Sequence, residues 1–191
     1  MKTFFSLIVL TLLLINIQAC SSILSATTAD PIEDKGDKRT TGSTLDDEII
    51  EIKALVNLDK ADERLAQAHI VVVSFNGVVL LAGQVNTAEQ RLLAADTVAK
   101  INKVRRVHNE ITVAGTTSMV ARSNDSWITT KVKTKLLANP EVEGGRIKVV
   151  TENGVVYLMG LVTRDEASRA AELTRQTGGV QKVVRIFEYI Q

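Results

Sequence analysis

The chain has 191 residues, of which 45% are hydrophobic and 24% are charged, as in ordinary globular proteins and unlike disordered or multispanning chains. Its 23 basic and 22 acidic residues give a net charge of +1, whereas a dedicated nucleic-acid binder carries a strong basic excess. One cysteine and two histidines exclude an internal disulfide and a cysteine zinc cluster. We therefore expect no metal, no cofactor and no nucleic-acid partner, and a binding or structural role.

The first twenty residues have the pattern of a secretory signal. Lys2 supplies a positive charge, and an apolar run over residues 4–15 follows it. The run is too short for a spanning helix, which needs about 20 apolar residues, but it suits the core of a signal peptide. Ile17-Gln-Ala-Cys20 then resembles a bacterial lipobox. We expect residues 1–19 to be removed and Cys20 to carry acyl chains.

Acylation of Cys20 would decide where the chain resides. Each buried CH₂ group contributes about 0.8 kcal/mol, so several acyl chains hold a protein on a membrane permanently. By resemblance to the lipoprotein sorting pattern, Ser21 in place of Asp implies the outer membrane, with the chain facing the periplasm. Residues 20–43 are polar and show little apolar periodicity, which predicts a flexible tether.

The rest of the chain contains one unit twice. Residues 70–85 and 147–162 align at an offset of 77, and each segment predicts a strand, an Asn-Gly turn and a second strand. An Asn-Gly pair fits a type I′ hairpin, because both turn residues need positive φ. The glycine near the end of each second strand predicts a bend or a close approach of backbones. The turn and strand positions concerned are Asn76, Gly77, Gly83, Asn153, Gly154 and Gly160.

Helices are predicted on both sides of each hairpin. Asn86-Thr-Ala-Glu89 and Thr163-Arg-Asp-Glu166 have the form of capping boxes, which predicts helices over 88–100 and 165–177. A further strand follows each of them. Before each hairpin, apolar residues recur every four positions, as on one helical face. These residues are Ile50, Ala54 and Leu58 in the first copy, and Ile128, Val132 and Leu136 in the second.

These elements define two repeats of about 70 residues, the first over 44–114 and the second over 123–191, joined by a linker over 115–122. Each repeat has the predicted order helix, strand, strand, helix, strand. A unit of about 70 residues is close to the lower size limit for a single core without disulfides. We therefore expect the two repeats to touch.

The repeats resemble BON domains, a small module of periplasmic and secreted bacterial proteins. The resemblance rests on the NGVV-x-L-x-G-x-V segments at 76–85 and 153–162, and on four later valines, Val104, Val107, Val180 and Val183. It implies an α+β fold of two tandem BON-like units. Each unit is then a three-stranded mixed sheet with two amphipathic helices (α-β-β-α-β).

A lipobox followed by two such units is similar to the dual-BON outer-membrane lipoproteins. This similarity implies a role in outer-membrane integrity through contact with phospholipid, without enzymatic activity or a small-molecule substrate. Some related small lipoproteins carry a haemolysin label, so a membrane-perturbing activity is an alternative.

The single tryptophan, Trp127, marks a candidate lipid-contact surface. On a helical wheel it lies about 140° from the seam formed by Ile128, Val132 and Leu136, so it should not enter the core. An indole beside ammonium groups is typical of surfaces that meet anionic headgroups. The residues that flank it, or that should be poorly buried near it, are Lys131, Thr134, Lys135 and Leu137.

The two repeats differ at this surface. Trp127 corresponds to Ile49, and the first repeat has eight basic and ten acidic residues where the second has ten basic and eight acidic. We therefore expect anionic phospholipid to bind the second repeat. Two alternatives stay open: Trp127 could dock one repeat on the other, and the lysines could form a solvated face only.

No motif points to catalysis. The sequence lacks G-x-S-x-G, P-loop and H-E-x-x-H patterns, and neither His69 nor His108 has further ligands at recognisable spacing. Asp46-Asp47 and Asp165-Glu166 lie at predicted helix starts, where acids favour the helix dipole. Besides lipid binding and membrane perturbation, a third class is open: an adaptor that binds a periplasmic or outer-membrane protein through sheet edges or the acidic first repeat.

Overall fold

The structure is a computed structural model that describes residues 40–115 and 119–190. The predicted signal peptide over 1–19, Cys20 and nearly all of the predicted tether lie outside the described residues.

Each repeat contains the predicted helices and strands together with one short extra turn of helix. The first repeat comprises α1 (Thr41–Ala61), α2 (Glu63–Ala66), β1 (His69–Phe75), β2 (Val78–Val85), α3 (Ala88–Ala99) and β3 (Arg106–Val113). The second comprises α4 (Met119–Ala138), a 3₁₀ turn (Gly144–Arg146), β4 (Ile147–Glu152), β5 (Val155–Val162), α5 (Arg164–Arg175) and β6 (Lys182–Tyr189).

Both sheets have the same mixed topology, as expected. β1 pairs with β2 antiparallel and β3 joins β2 in parallel. β4, β5 and β6 repeat this arrangement. A hairpin needs only a two-residue turn, whereas the parallel third strand needs a crossover, which α3 and α5 provide. The α+β fold class is therefore confirmed.

Several predicted boundaries were wrong by a few residues. α1 begins at Thr41, inside the predicted tether, because the Thr40 hydroxyl accepts a hydrogen bond from the Ser43 amide at 3.1 Å. α4 begins at Met119, inside the predicted linker. The first capping box is formed by Thr87 and Gln90, one residue later than predicted, whereas the second is formed by Thr163 and Glu166 as predicted.

The Asn-Gly turns have the predicted left-handed geometry, with φ of 52° and 74° at the first turn and 49° and 73° at the second. At Gly83 a Cβ atom would stand 2.0 Å from the carbonyl oxygen of His69. At Gly160 it would stand 2.7 Å from that of Arg146. The expected close approach of backbones is therefore present in both repeats.

Each hairpin turn is held by an aspartate of the preceding helix, a feature that the sequence analysis missed. The Asp47 carboxylate accepts hydrogen bonds from the amides of Asn76 and Gly77, at 2.7 and 2.8 Å. In the second repeat, Asp125 accepts from the two corresponding turn amides, both at 2.8 Å. Asp47 and Asp125 are buried, and buried carboxylates need such charge-assisted partners.

The helices of each repeat cover one face of its sheet. The predicted α1 seam packs with Val79 and Leu81 of β2 in one core, and the predicted α4 seam packs with Val156 and Leu158 of β5 in another. Because strand side chains alternate between faces, the residues between these positions face the other way. Both predicted helical seams are therefore confirmed as core.

The two sheets pack on each other through their remaining faces. Leu80 and Phe75 from the first sheet form one buried cluster with Tyr157, Met159 and Ile186 from the second. The folded region thus has four layers, helices, sheet, sheet, helices, and the two helical layers lie on opposite outer sides. The expected contact between the repeats is confirmed.

Ion pairs border this apolar contact. Lys148 bonds Glu51 at 2.9 Å, and Arg105 bonds Glu188 at 2.8 Å, each across the boundary between the repeats. Partly exposed pairs of this kind contribute little, about 0–1 kcal/mol each. The apolar cluster therefore contributes most of the free energy that holds the repeats together. The charged pairs favour one position of the two sheets relative to each other.

Replacing the turn-binding carboxylate should weaken the second repeat. In Asp125→Asn one acceptor oxygen becomes an NH₂ group that faces a backbone N–H, so we expect a loss of about 2–3 kcal/mol in the free energy of unfolding. Urea unfolding measures the loss, and faster hydrogen exchange at Asn153 and Gly154 localises it. Asp165→Asn, at an exposed acid in the first turn of α5, should change stability by about 0.5 kcal/mol or less. Equal effects of both variants would contradict this role of Asp125.

Tyr157 should make the stability of the sheet contact depend on alkaline pH. Burial, aided by the charges of Glu110 and Glu152, raises its pKa from 10.0 to about 12. The folded state therefore favours the neutral phenol, so this contribution is complete below pH 10 and is lost as the pH rises towards 12. It amounts to about 3 kcal/mol, since one pKa unit corresponds to about 1.4 kcal/mol. Urea unfolding at pH 9 and pH 11 should show a smaller decline for Tyr157→Phe than for the unsubstituted chain. Tyr189→Phe, at an exposed tyrosine, should leave the decline unchanged.

Candidate functional site

Trp127 lies on the outer surface of α4, with 62% of its surface exposed. The predicted seam on the other side of the helix is fully buried, so the indole points away from the core as predicted. Leu137 is 67% exposed and lies near the end of the same helix. We use the name Trp127 face for Trp127, Lys131, Thr134, Lys135 and Leu137.

The alternative that Trp127 docks the two repeats together was wrong. The repeats meet through the faces of their sheets, and α4 lies on the other side of its sheet. Strand residues, among them Phe75, Tyr157 and Met159, fill the apolar contact, and Trp127 is not among them.

Lys131 and Lys135 hold α4 against the end of α5. The ammonium of Lys131 donates to the carbonyl of Gly178, and that of Lys135 donates to the carbonyl of Gln176 at 3.0 Å. Both carbonyls follow the last residue of α5, where unpaired C=O groups concentrate negative charge. Sequence spacing could not reveal these bonds, because the proximity of α4 and α5 is tertiary.

These bonds leave the two lysines available to other anions. An ammonium group has three donors, and each lysine uses one in the bond described. Lys135 is exposed and Lys131 is half-buried. The hydroxyl of Thr134 donates to the Thr130 carbonyl of its own helix at 2.9 Å. The Trp127 face therefore presents an exposed indole, an exposed leucine and two positioned cations.

The acids at the start of the first repeat mostly serve the fold. Asp46 pairs with Lys103 at 2.7 Å, Asp47 binds the hairpin turn, and Glu51 pairs with Lys148. The prediction that Asp46-Asp47 lies at a helix start was wrong, since no acid occupies the first turn of α1. An adaptor surface made of this acidic segment therefore has few uncommitted charges.

Asp165 and Glu166 do occupy the first turn of α5, as predicted. Burial raises the pKa of Glu166, but hydrogen bonds from the backbone and side chain of Thr163 outweigh that effect. They hold the pKa below its ordinary value. The two acids thus stabilise a helix start, and their position gives no indication of acid–base chemistry.

A polar cleft between the repeats is a second concave surface. His69, Arg122, Thr151 and Glu152 line it, and the His69 imidazole lies 3.3 Å from the Glu152 carboxylate. Elsewhere, burial and the nearby Arg106 lower the pKa of His108, which favours its neutral form. Within residues 40–115 and 119–190, no group of His, Cys, Asp and Glu side chains is arranged to hold a metal ion.

In the part of the chain that the structure describes, no helix combines the length and apolarity needed to cross a bilayer.

Comparison with known proteins agrees with the two repeats. The model of the BON domain family matches residues 46–115 and 124–191. The chain is 38% identical to outer membrane lipoprotein DolP of Haemophilus influenzae over 154 residues, which cover 81% of this chain and 80% of the relative. It is 41% identical to the 21 kDa hemolysin of Actinobacillus pleuropneumoniae over 81% of this chain and 80% of that protein.

A more distant relative is the osmotically-inducible protein Y of Escherichia coli. It is 30% identical over 74% of this chain and 72% of its own length. The two matched domains and the extent of the identity show that this chain belongs to the BON domain family, as a dual-BON member of the DolP type of outer-membrane lipoprotein.

Proposed function

We propose that this protein is anchored by acyl chains on Cys20 to the outer membrane, faces the periplasm, and binds anionic phospholipid through the Trp127 face of its second BON domain. Through this contact it supports the integrity of the outer membrane. The observation that carries the proposal is the exposed indole of Trp127 on an outer helix, next to two positioned ammonium groups.

The chemistry of the Trp127 face fits the headgroup region of a bilayer. An indole combines a large apolar ring with an N–H group that seeks a polar partner, and it favours the boundary between headgroups and acyl chains. The exposed side chain of Leu137 adds apolar area on the same helix. Because 62% of its surface is exposed, Trp127 contributes little to the core. Packing therefore does not explain why a tryptophan occupies this position.

The lysines give the face a preference for anionic lipid. Each basic side chain near an anionic surface contributes about 1 kcal/mol. Lys131 and Lys135 are held beside α5 by their backbone bonds, so ordering them at the membrane costs less side-chain entropy. The attraction between exposed charges is screened by salt, so high ionic strength should weaken the contact.

The first BON domain lacks this combination. Its α1 helix has Ile49 in place of Trp127, Leu55 in place of Lys133 and Asn57 in place of Lys135. A shared requirement of the fold would have kept the same residues in both helices. The difference supports the assignment of lipid binding to the second domain.

Two other functions remain as alternatives. The relative named 21 kDa hemolysin suggests a membrane-perturbing activity, and dye leakage from vesicles distinguishes that activity from simple binding. An adaptor role would use a protein partner instead of lipid, and crosslinking in cells identifies such a partner.

Trp127→Glu should weaken binding to vesicles that contain phosphatidylglycerol or cardiolipin by about tenfold. The substitution removes the interfacial indole and places a negative charge at an anionic surface, where one charge alone changes the binding free energy by about 1 kcal/mol. The measurement is vesicle sedimentation with residues 20–191 carrying Cys20→Ser, so that no acyl chain contributes. Circular dichroism should show an unchanged fold, because the side chain is exposed.

The matched control is Leu92→Glu, at a leucine of α3 that is 64% exposed in the first domain. It adds the same charge at a similarly exposed position and should leave vesicle binding unchanged. If the Trp127 variant bound as tightly as this control, the proposed lipid contact would be wrong. Binding accompanied by dye release would favour the membrane-perturbing alternative.

Lys135→Gln should reduce binding to anionic vesicles about fivefold, since it removes one cation worth about 1 kcal/mol at such a surface. Binding to phosphatidylcholine vesicles should not change. Lys60→Gln, at an exposed lysine in the last turn of α1, serves as the control in the same titration. An equal loss in both variants would indicate an unspecific effect of net charge and would contradict a localised site.

A further inference from the structure

A stripe of apolar side chains runs along the outside of α1. Leu45 is 56% exposed, Ile49 48%, Ile52 62% and Val56 45%. We call these four residues the α1 stripe. At 100° per residue they fall within about 60° of one another, and they lie opposite the buried seam of the same helix. α1 is therefore apolar on two opposed faces, of which only one is covered by the described part of the chain.

The fold itself does not require the α1 stripe. The matching positions of α4 are Ser123, Trp127, Thr130 and Thr134, so the second domain has three polar residues where the first has apolar ones. The core-facing positions, by contrast, are nearly the same in both helices: Asp47, Ile50, Ala54 and Leu58 correspond to Asp125, Ile128, Val132 and Leu136. Exposed apolar residues beyond what the fold needs mark an interaction surface.

The spacing within the stripe is that of a coiled coil. Steps of four, three and four residues place Leu45 and Ile52 at d positions, and Ile49 and Val56 at a positions. β-branched Ile49 and Val56 at a and Leu45 at d favour two parallel strands, whereas Ile52 at the second d position is a residue type also found in larger assemblies. Leu55, at the adjoining g position, is 51% exposed and extends the apolar surface.

The charges beside the stripe are complementary to those of a second copy. Glu48 occupies a g position and Lys53 the e position of the next heptad, and both side chains are exposed. In a parallel pair the g residue of one helix faces the e residue of its partner. Two such ion pairs would form, one on each side of the seam. An antiparallel pair would instead place residues of the same type opposite each other.

We propose that the α1 stripe is a self-association surface: two copies of this chain pair their α1 helices in parallel and in register, with Glu48 of each copy facing Lys53 of the other. The seam extends over about 16 Å from Leu45 to Val56. Two heptads give a weak, concentration-dependent contact. Anchoring on one membrane would raise the effective concentration of the copies and so favour it.

This association does not depend on the lipid contact. The two helical layers lie on opposite outer sides of the folded region, so the α1 stripe and the Trp127 face point in opposite directions. A pair formed through the stripe places the two Trp127 faces at its opposite ends, so one of the two copies at a time can lay this face on a given membrane. Self-association and vesicle binding can therefore be measured separately, and a variant that loses one of them can still be tested for the other.

A charge-exchange experiment tests the pairing and its direction. With residues 20–191 carrying Cys20→Ser, sedimentation equilibrium should show a monomer–dimer equilibrium. Glu48→Lys alone and Lys53→Glu alone place like charges opposite each other and should weaken dimerisation about three- to tenfold. The double variant should restore it. Ile52→Lys should abolish the dimer, whereas Thr130→Lys, at the matching position of α4, should not change it.

Cysteine crosslinking tests the register in the same protein, which otherwise contains no cysteine. Leu45→Cys and Val56→Cys should each form a disulfide-linked dimer on mild oxidation, because a parallel in-register pair brings each position next to its own copy. Crosslinks only in a mixture of the two variants would indicate an antiparallel pair and would overturn the proposal. A monomer at every concentration would also overturn the proposal. So would a double charge variant that dimerises no better than the two single variants. Loss of vesicle binding in Ile52→Lys without any dimer would assign the stripe to a membrane instead.

Discussion

The packing of the two sheets on each other is the contact on which the rest of the structure depends. A three-stranded sheet with helices on one side leaves its other face open, and here that face is apolar in both repeats. Each sheet therefore covers the open face of its partner. All eight residues of β2 are buried as a result, which is typical of a strand covered on both sides.

This arrangement decides which surfaces are free to change. The sheets are enclosed, and the inner helix faces belong to the cores, so the outer faces of α1 and α4 are the helical surfaces that can differ without loss of fold. Positions at which the two helices differ, such as Ile49 against Trp127 and Ile52 against Thr130, lie on these outer faces. Two copies of one module can in this way present two different surfaces, one on each side of the molecule.

Several charged side chains of this protein make contacts that stabilise the fold, and they are therefore not fully available to a ligand. Asp47 and Asp125 bind the hairpin turns, and Lys131 binds a carbonyl beyond the end of α5. A count of acidic and basic residues in each repeat therefore overstates the charge that a ligand would meet. The ammonium groups near Trp127 have fixed positions because the fold already uses one of their donors.

The sequence by itself determined the repeat, the hairpins, the core seams and the outward direction of Trp127, because each depends on local periodicity or on turn residues that only a few conformations accept. The start of α4 and the first capping box were placed wrongly, since several polar residues in a row can all cap a helix. Only the tertiary structure decided how the sheets meet, what Asp47 binds and where the ammonium groups of Lys131 and Lys135 lie. These features join residues that are distant along the chain, and no spacing in the sequence specifies which of the available partners will be adjacent.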